Sequence, residues 1–271
     1  MYNFFFNLTS FFYLLSFLFY IVSFIKQKDK IRILGFFINL IGFFTHSFNL
    51  ILRTIILEIL PISNLYESLI LFSWLIMLIK ILILDRKKFQ FSGFFVFPVV
   101  LFLIFFASNL DSDIKPPLPM LKSHWLGIHG LLCFLSYSLF TISFIFAILY
   151  LLQERELKYK RIGIFFFQLP SLELLDRISY KTILFGFLFL TLGIFSGSIW
   201  AKEVWGNYWR QDPKLILSLI MWLFYLFYLC TRLFLGWQAE ERAYLSLGGF
   251  LITLFTYLGT DYFLKGLHSY L

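Results

Sequence analysis

The stretch 125–152, WLGIHGLLCFLSYSLFTISFIFAILYLL, runs for 28 residues without a charged side chain. A bilayer whose hydrocarbon core is about 30 Å thick is crossed by roughly 20 apolar residues in a helix. The stretch therefore predicts a transmembrane helix. Because it is longer than the bilayer requires, we expect this helix to tilt or to protrude from the membrane.

Comparable apolar runs recur along the rest of the chain. Of its 271 residues, 60% are hydrophobic and only 14% are charged, whereas soluble domains usually carry about 25% charged residues. This composition excludes a globular protein whose whole surface faces water. The sequence predicts an all-α integral membrane protein, a bundle of about eight transmembrane helices with an external Trp-rich loop. The predicted spans cover roughly residues 4–25, 33–52, 65–84, 91–107, 125–152, 180–199, 215–234 and 244–264.

Neither the start of the chain nor its two cysteines indicates a particular chemical function. The opening MYNFFFNLTSFF has neither a basic n-region nor an obvious small-residue cleavage site, so we expect a retained first span and not a removed signal peptide. Cys133 and Cys230 both lie inside apolar runs, which predicts neither a CxxC redox pair nor a disulfide framework. Because no repeat or linker stands out, we predict a single transmembrane domain over residues 1–271.

Basic residues between the apolar runs set the predicted orientation. Fifteen Lys and Arg side chains fall on one side and seven on the other, with Lys80 at a boundary, where we expect it to snorkel to the headgroups. The positive-inside rule places the larger set in the cytoplasm, and an even number of spans then leaves both termini outside. The net charge of +8 thus indicates topology and not nucleic-acid binding. The cytoplasmic stretch 153–179 is predicted to be amphipathic and to lie along the interface.

The external stretch 200–214, WAKEVWGNYWRQDPK, concentrates aromatic and charged side chains in fifteen residues. An interfacial aromatic belt is one interpretation, although belts are usually dispersed over several span ends. The density favours the other interpretation, a flat aromatic platform whose rings stack on a planar dianionic molecule and whose cations pair with its carboxylates. If the loop is locally helical, Trp205 and Trp209 share one face. The candidate ligand-binding residues are Trp200, Lys202, Trp205, Tyr208, Trp209, Arg210 and Asp212.

Two of the four histidines fall on the same predicted side as this stretch. His129 lies at the outer end of the fifth span and His268 just beyond the eighth. Paired histidines from different helices commonly hold a six-coordinate haem iron, so we predict both as axial ligands, although each taken singly is as readily an interfacial hydrogen bonder. His46, inside the second span, is a functional candidate because an intramembrane imidazole is costly, with a hydrogen bond to a neighbouring helix as the alternative. No catalytic residue is predicted.

Four segments resemble the cytochrome c assembly proteins, and specifically the CcsA branch found in bacteria and plastids. The stretch 200–214 is similar to the tryptophan-rich motif of that family. The resemblance runs from about residue 45 to the C-terminus, in the family's order. The four segments are SNLYESL at 63–69, LPSLELLDRISY at 169–180, GFLFLTLGIFSGSIWAKEVWGNYW at 186–209 and GLHSY at 266–270.

The resemblance implies a membrane subunit of a cytochrome c maturation (system II) complex that exports haem b and attaches it, as part of a holocytochrome c synthase or haem lyase. In such proteins two external histidines flanking the Trp-rich loop hold the haem, and His129 and His268 occupy those positions. The implied partners are a CcsB/ResB-type membrane protein, an apocytochrome c with a CxxCH motif, haem and membrane lipid, without nucleic acid. The implied location is the bacterial inner membrane, or the thylakoid membrane in a plastid.

The chain departs from the family pattern at four positions. Gln211 and Leu215 replace a Trp and a Glu of the tryptophan-rich motif, while Cys230 and Ile59 stand where relatives carry histidines. The external histidines remain, but those that the family would use to pass haem through the bilayer are replaced. Two alternatives follow. One is a haem transporter or delivery protein of the CcmC type without attachment activity. The GLHSY and SNLYES segments favour the CcsA branch over this alternative. The other is a diverged scaffold subunit that binds no haem.

Overall fold

The computed structural model describes residues 2–85, 92–114, 116, 119–160, 169–209 and 212–259. Within these ranges the chain is helical and contains no β-strand. Two helices continue as π-helical turns, at Lys80–Leu84 and at Phe255–Gly259, and a 3-10 turn covers Pro119–Lys122. The α-helices are α1 (Tyr2–Lys26), α2 (Asp29–Leu57), α3 (Leu65–Ile79), α4 (Ser92–Ser108), α5 (His124–Lys158), α6 (Leu172–Trp205), α7 (Pro213–Leu233) and α8 (Ala239–Leu254).

Within the described residues, each predicted span coincides with a helix, because a backbone in lipid must satisfy its hydrogen bonds within the segment. In the part of the chain that the structure describes, six helices are long and apolar enough to cross a membrane: α1, α2, α3 with its π-turn, α5, α6 and α7. Helix α4 is apolar but shorter, with 17 residues, and α8 has 16 before its π-turn. The chain is a multi-pass membrane protein, and the count of eight spans stays a prediction.

Polar side chains start several of these helices. Asn64, Ser123, Ser171 and Asp212 each accept a backbone N–H of the first turn of α3, α5, α6 and α7. Such caps satisfy donors that a helix start leaves free. The last of them also fixes the residue at which the tryptophan-rich stretch gives way to α7.

The chain divides into two compact units, Met1–Lys122 and Ser123–Leu271. In the first, α1 and α2 pack antiparallel along polar and small residues. Ser16 donates to the Gly35 carbonyl at 2.8 Å, and the Tyr13 hydroxyl lies 3.2 Å from Nδ1 of His46. A Cβ at Gly42 would lie 2.7 Å from the Tyr13 ring, so glycine is needed for this close approach.

The first unit also buries two ion pairs. Arg53 lies 3.6 Å from Glu67, with the two side chains 0% and 1% exposed. Lys80 lies 2.8 Å from Asp85, which also accepts a hydrogen bond from Tyr20. The prediction that Lys80 snorkels to the headgroups is wrong. Across the π-turn the Asp85 N–H donates to the Lys80 carbonyl at 3.0 Å, which brings the carboxylate to the buried ammonium.

In the second unit, α5 and α6 pack antiparallel through an evenly spaced set of hydrogen bonds. His129 donates to the Gly193 carbonyl at 2.8 Å and Ser136 to the Gly186 carbonyl at 2.8 Å. Ser143 donates to the Ser179 carbonyl at 3.2 Å. Donors and acceptors are both seven residues apart, two helical turns, so the same faces meet at each step. We call these three pairs the carbonyl ladder.

One predicted connection differs from the structure. Both ends of the stretch 153–179 are helical, because α5 continues to Lys158 and α6 begins at Leu172. Residues 161–168, in its middle, lie outside the described ranges. The polar residues at these ends are held by helix contacts that a loop prediction cannot anticipate. One such contact is Asp176, which accepts from Arg232 at 2.7 Å and from Arg242 at 3.1 Å.

Candidate functional site

His129 lies in the second turn of α5, half-buried against α6. Its Nδ1 is 2.8 Å from the Gly193 carbonyl oxygen. A carbonyl can only accept, so Nδ1 carries the proton and Nε2 keeps its lone pair. That tautomer is the one in which an imidazole binds a metal, with the second nitrogen held by a carbonyl. His129 thus has the protonation pattern that its predicted role requires.

Small residues of α6 leave room for this ring. A Cβ at Gly197 would lie 2.7 Å from Nδ1 of His129, and one at Gly193 would lie 2.9 Å from Sγ of Cys133. Cys133 is one turn along α5, with its sulfur 3.7 Å from the same Nδ1. The two glycines form a GxxxG motif, G-I-F-S-G at 193–197, a sequence typical of close helix contacts in membranes. The motif was visible in the sequence as a signal for this contact.

The tryptophan-rich stretch is a loop only in part. Helix α6 continues through Trp205 and ends at Gly206, whose φ of 77° is in the left-handed region. Trp200 is buried, and its ring meets that of Trp205 edge-on at 4.9 Å. The expectation that Trp205 and Trp209 share a helical face is wrong, because the left-handed Gly206 turns the chain between them.

The residues after Gly206 present exposed aromatic surface. Tyr208 is 54% and Trp209 51% exposed. The Lys202 ammonium donates to the Tyr208 hydroxyl at 2.6 Å and lies 4.4 Å from the centre of its ring. The structure therefore brings one predicted cation and one predicted aromatic residue together. Arg210 lies outside the described residues.

The end of the stretch reaches towards His129. Asp212 is buried and accepts the Lys214 backbone N–H at 2.8 Å, as the N-cap of α7. The charge of Lys214 acts electrostatically on His129, more weakly than Cys133 does. Ser123, which caps α5, also donates to Glu203 near the end of α6 at 2.6 Å. The start of α5, the end of α6 and the start of α7 thus meet at one end of the second unit.

His268, the other predicted ligand, lies outside the described residues. The chain that leads to it leaves α8 through the π-turn. There Tyr257 contacts Phe134 edge-on, with ring centres 5.5 Å apart. Because Phe134 is five residues after His129, α8 ends on the part of α5 that carries the first histidine.

Two other candidates have structural partners. His46 is buried, with Nδ1 3.2 Å from the Tyr13 hydroxyl and a further hydrogen bond to the Ile70 backbone. The contact with Tyr13 of α1 is of the kind expected for the alternative, a hydrogen bond to a neighbouring helix. Cys230 is half-buried in α7, and its backbone carbonyl accepts the N–H of Phe234 as the helix ends.

The SNLYESL segment has a structural role in this chain. Asn64 accepts the Glu67 N–H at 2.8 Å, and the Glu67 carboxylate accepts the Ser63 N–H at 2.8 Å. The second carboxylate oxygen faces Arg53, whose guanidinium lies 4.5 Å from the Tyr66 ring centre. The segment therefore starts α3 and neutralises a buried cation. Sequence reasoning missed this pair because Arg53 was counted among the seven basic residues predicted to lie on the external side.

Known proteins are similar to this chain in sequence. A family model described as "Cytochrome C assembly protein" matches residues 62–268. This chain belongs to the cytochrome c assembly protein family. The match begins between α2 and α3, so it includes the whole described part of the second unit.

Relatives in this family are similar over most of their length. The cytochrome c biogenesis protein CcsA of Guillardia theta is 39% identical, covering 78% of this chain and 76% of the relative. The CcsA protein of Chlorella vulgaris is 37% identical, covering 83% and 81%. That of Prochlorococcus marinus (strain MIT 9301) is 34% identical, covering 90% and 85%. The chain is therefore a CcsA-type membrane protein of cytochrome c maturation.

A solved structure shares the fold. The cytochrome c heme lyase CcmF superposes with a TM-score of 0.60 over 99% of this chain, at 19% identity. At that identity the likeness concerns the fold alone. The chain spans 50% of the length of that structure.

Proposed function

We propose that this chain is the haem-handling subunit of a system II cytochrome c maturation complex and works as one domain over residues 1–271. It exports haem b and holds it, as substrate, at an external site beside a CcsB/ResB-type partner. There the haem vinyl groups react with the CxxCH thiols of an apocytochrome c. Family membership and the identity to CcsA proteins support this role.

The observation that carries the proposal is the geometry of His129. Its Nδ1–H is donated to the Gly193 carbonyl at 2.8 Å, which leaves Nε2 as a neutral ligand for iron. His268, which follows α8, supplies the second axial ligand. Two nitrogen ligands from separate segments give the six-coordinate iron of a bis-histidine haem.

The charged and aromatic side chains of the stretch 200–214 suit the rest of a haem molecule. Lys214 and Lys202 are cations that pair with the two propionates, and Arg210 adds a third. Trp200, Trp205, Tyr208 and Trp209 supply aromatic faces for the macrocycle. Asp212 acts through its capping of α7, which fixes the helix turn that carries Lys214.

The decisive experiment replaces the ligands one at a time. His129→Gly and His268→Gly are each co-expressed with the partner, and the absorption spectrum and haem content of the purified complex are measured. Each variant should lose bound haem and cytochrome maturation, and added imidazole should restore part of both because it fills the vacated position on iron. Unchanged haem content in the double variant would falsify the assignment. His124→Gly is the matched control, since this exposed neighbour is assigned no role.

The aromatic platform has its own test. Trp205→Ala should weaken haem retention by about 1–3 kcal/mol, judging from the burial of a large apolar side chain. Gln211→Trp should be tolerated, since relatives carry Trp there. Full activity in a Trp205/Trp209 double Ala variant is the result expected of interfacial belt residues, and it would remove the platform from the proposal.

Two alternative functions are separated by product analysis. A delivery protein of the CcmC type copurifies with haem but forms no thioether bond on a reporter cytochrome c. A scaffold subunit copurifies with no haem at all. The system II subunit gives both signals when its partner is present.

A further inference from the structure

We infer that the carbonyl ladder between α5 and α6, together with Gly193 and Gly197, positions the His129 ring for iron. The two glycines are positioning residues and do not touch the haem themselves. The inference rests on the proposed function, in which His129 is a ligand. The inference gives a reason for the two glycines of the GIFSG segment at 193–197.

The ladder supports this because His129 occupies the position of a serine in a repeated pattern. Ser136 and Ser143 donate to the carbonyls of Gly186 and Ser179, and His129 donates in the same way to Gly193. A serine suffices to hold two helices together by such a bond. An imidazole in this position makes the same bond with Nδ1 and keeps a second nitrogen, Nε2, whose neighbour is the weakly hydrogen-bonding sulfur of Cys133 at 3.9 Å. The ladder thus determines which ring nitrogen carries the proton.

The glycines support it because they bound the ring. A methyl group added at Gly197 would lie 2.7 Å from Nδ1 of His129, which is closer than van der Waals contact allows. On its other side the ring lies against Cys133, whose sulfur is 3.7 Å and 3.9 Å from Nδ1 and Nε2. Cys133 is itself packed on Gly193, so the ring cannot move towards α6 or along α5 without displacing a neighbour. A side chain at residue 197 must push the ring off the Gly193 carbonyl.

Loss of that hydrogen bond should change the iron site and not merely the packing. A partner that orients a ligating histidine typically contributes about 10–100-fold in metal affinity when it is removed. We therefore expect Gly197→Ala to lower the haem retained by the purified complex by about 10-fold. The remaining haem should show a mixture of six- and five-coordinate spectra.

The matched control is Gly42→Ala in the first unit. A methyl group there meets the Tyr13 ring at 2.7 Å, the same distance as at Gly197, but far along the chain from His129. Haem content, absorption and electron paramagnetic resonance spectra are compared, with thermal midpoints of both variants measured in parallel. A haem loss of equal size in both variants would show that the Gly197 effect is general destabilisation, and would overturn the inference.

A second variant pair separates positioning from ligation. In His129→Gly rescued by imidazole, the ring is free and no longer bounded by Gly197. Adding Gly197→Ala to that background should then leave the rescued haem nearly unchanged. If the double variant cannot be rescued while the single one can, Gly197 acts on something other than His129 and the inference fails. If His129→Gly keeps its haem, the proposed function itself fails, whatever Gly197→Ala does.

Discussion

The two units bury polar groups by different means. The first encloses whole charges, in the pairs Arg53–Glu67 and Lys80–Asp85. The second encloses hydroxyls and backbone carbonyls in the carbonyl ladder, while its Asp176 network is partly exposed at helix ends. A buried charge becomes strongly destabilising when its partner is removed, although the intact pair adds little net stability. A hydroxyl bonded to a carbonyl contributes little energy but fixes a geometry.

The difference suggests what each unit contributes. Breaking either ion pair of the first unit would cost free energy, which suits a rigid frame. The ladder of the second unit can exchange one hydroxyl for an imidazole without losing its bond, which suits a site. The family model matches from residue 62, so the whole ladder falls within it, whereas α1 and α2 precede it.

The largest effect is expected when a charge of the first unit loses its partner. Arg53→Met leaves the Glu67 carboxylate buried alone and should lower the free energy of unfolding by about 3–5 kcal/mol. Denaturation of the purified protein in detergent measures this. The control is Arg177→Ala, which removes an exposed pair with Glu173 and should leave stability nearly unchanged. Equal effects of the two variants would show that the buried pair is not special.

The next effect tests the close packing of the second unit. A methyl group at Gly186 would lie 2.6 Å from the Phe140 ring, so Gly186→Ala should destabilise by about 1–3 kcal/mol through overpacking. At Gly127 nothing lies within 4 Å of the added Cβ. Gly127→Ala, in the same pair of helices, should be neutral or stabilising because alanine favours the helix. A destabilised Gly127→Ala would contradict this account of α5 and α6.

A smaller effect is expected in the hydroxyl cluster at the other end of the ladder. Ser143→Ala removes bonds to Ser179 and Ser246, at 2.8 and 2.9 Å. Polar contacts between membrane helices contribute on average about 0.6 kcal/mol and at most about 1.7, so the loss should fall in that range. Ser198→Ala, which removes only a bond to its own helix, is the reference. A loss as large as that of Arg53→Met would erase the contrast between the units.

The smallest effect concerns Cys230, which stands where relatives carry a histidine. Burial in apolar surroundings disfavours a thiolate, so Cys230→Ala should leave the haem spectrum nearly unchanged. Cys230→His should instead add a second population with two nitrogen ligands. Absorption and magnetic resonance spectra of the purified complex distinguish these outcomes. Disappearance of a thiolate-type spectrum in Cys230→Ala would make Cys230 a working ligand.

Much of the fold followed from composition, because lipid permits few structures. The described residues of the eight predicted spans lie on helices, since an apolar run of bilayer length has no other way to satisfy its backbone. The ends were less predictable. Arg155 and Asp176 fall in the stretch 153–179, which was predicted to connect two spans, yet both are helical, and Asp176 pairs with Arg232 of α7.

The candidate site was predictable in its residue types but not in its geometry. His129 and the tryptophans were identified from their shared side of the membrane. That Gly193 offers a carbonyl to His129 depends on the register of α5 against α6, which a single sequence does not specify. The sequence analysis did not use two signals of this contact, which are the spacing of seven between His129, Ser136 and Ser143 and the GxxxG at 193–197.

The π-turn at Lys80–Leu84 has a consequence for how this region can evolve. A π-turn holds one residue more than the α-helical turn it replaces, and here that residue allows Asp85 to reach back to Lys80. Deleting any one of the five would rotate Asp85 by about 100° around the helix axis and separate the carboxylate from the ammonium. Outward residues such as Leu82 and Ile83 can be exchanged for other apolar side chains. The length of the turn cannot change, so alignments across this turn should show free substitution and no gaps.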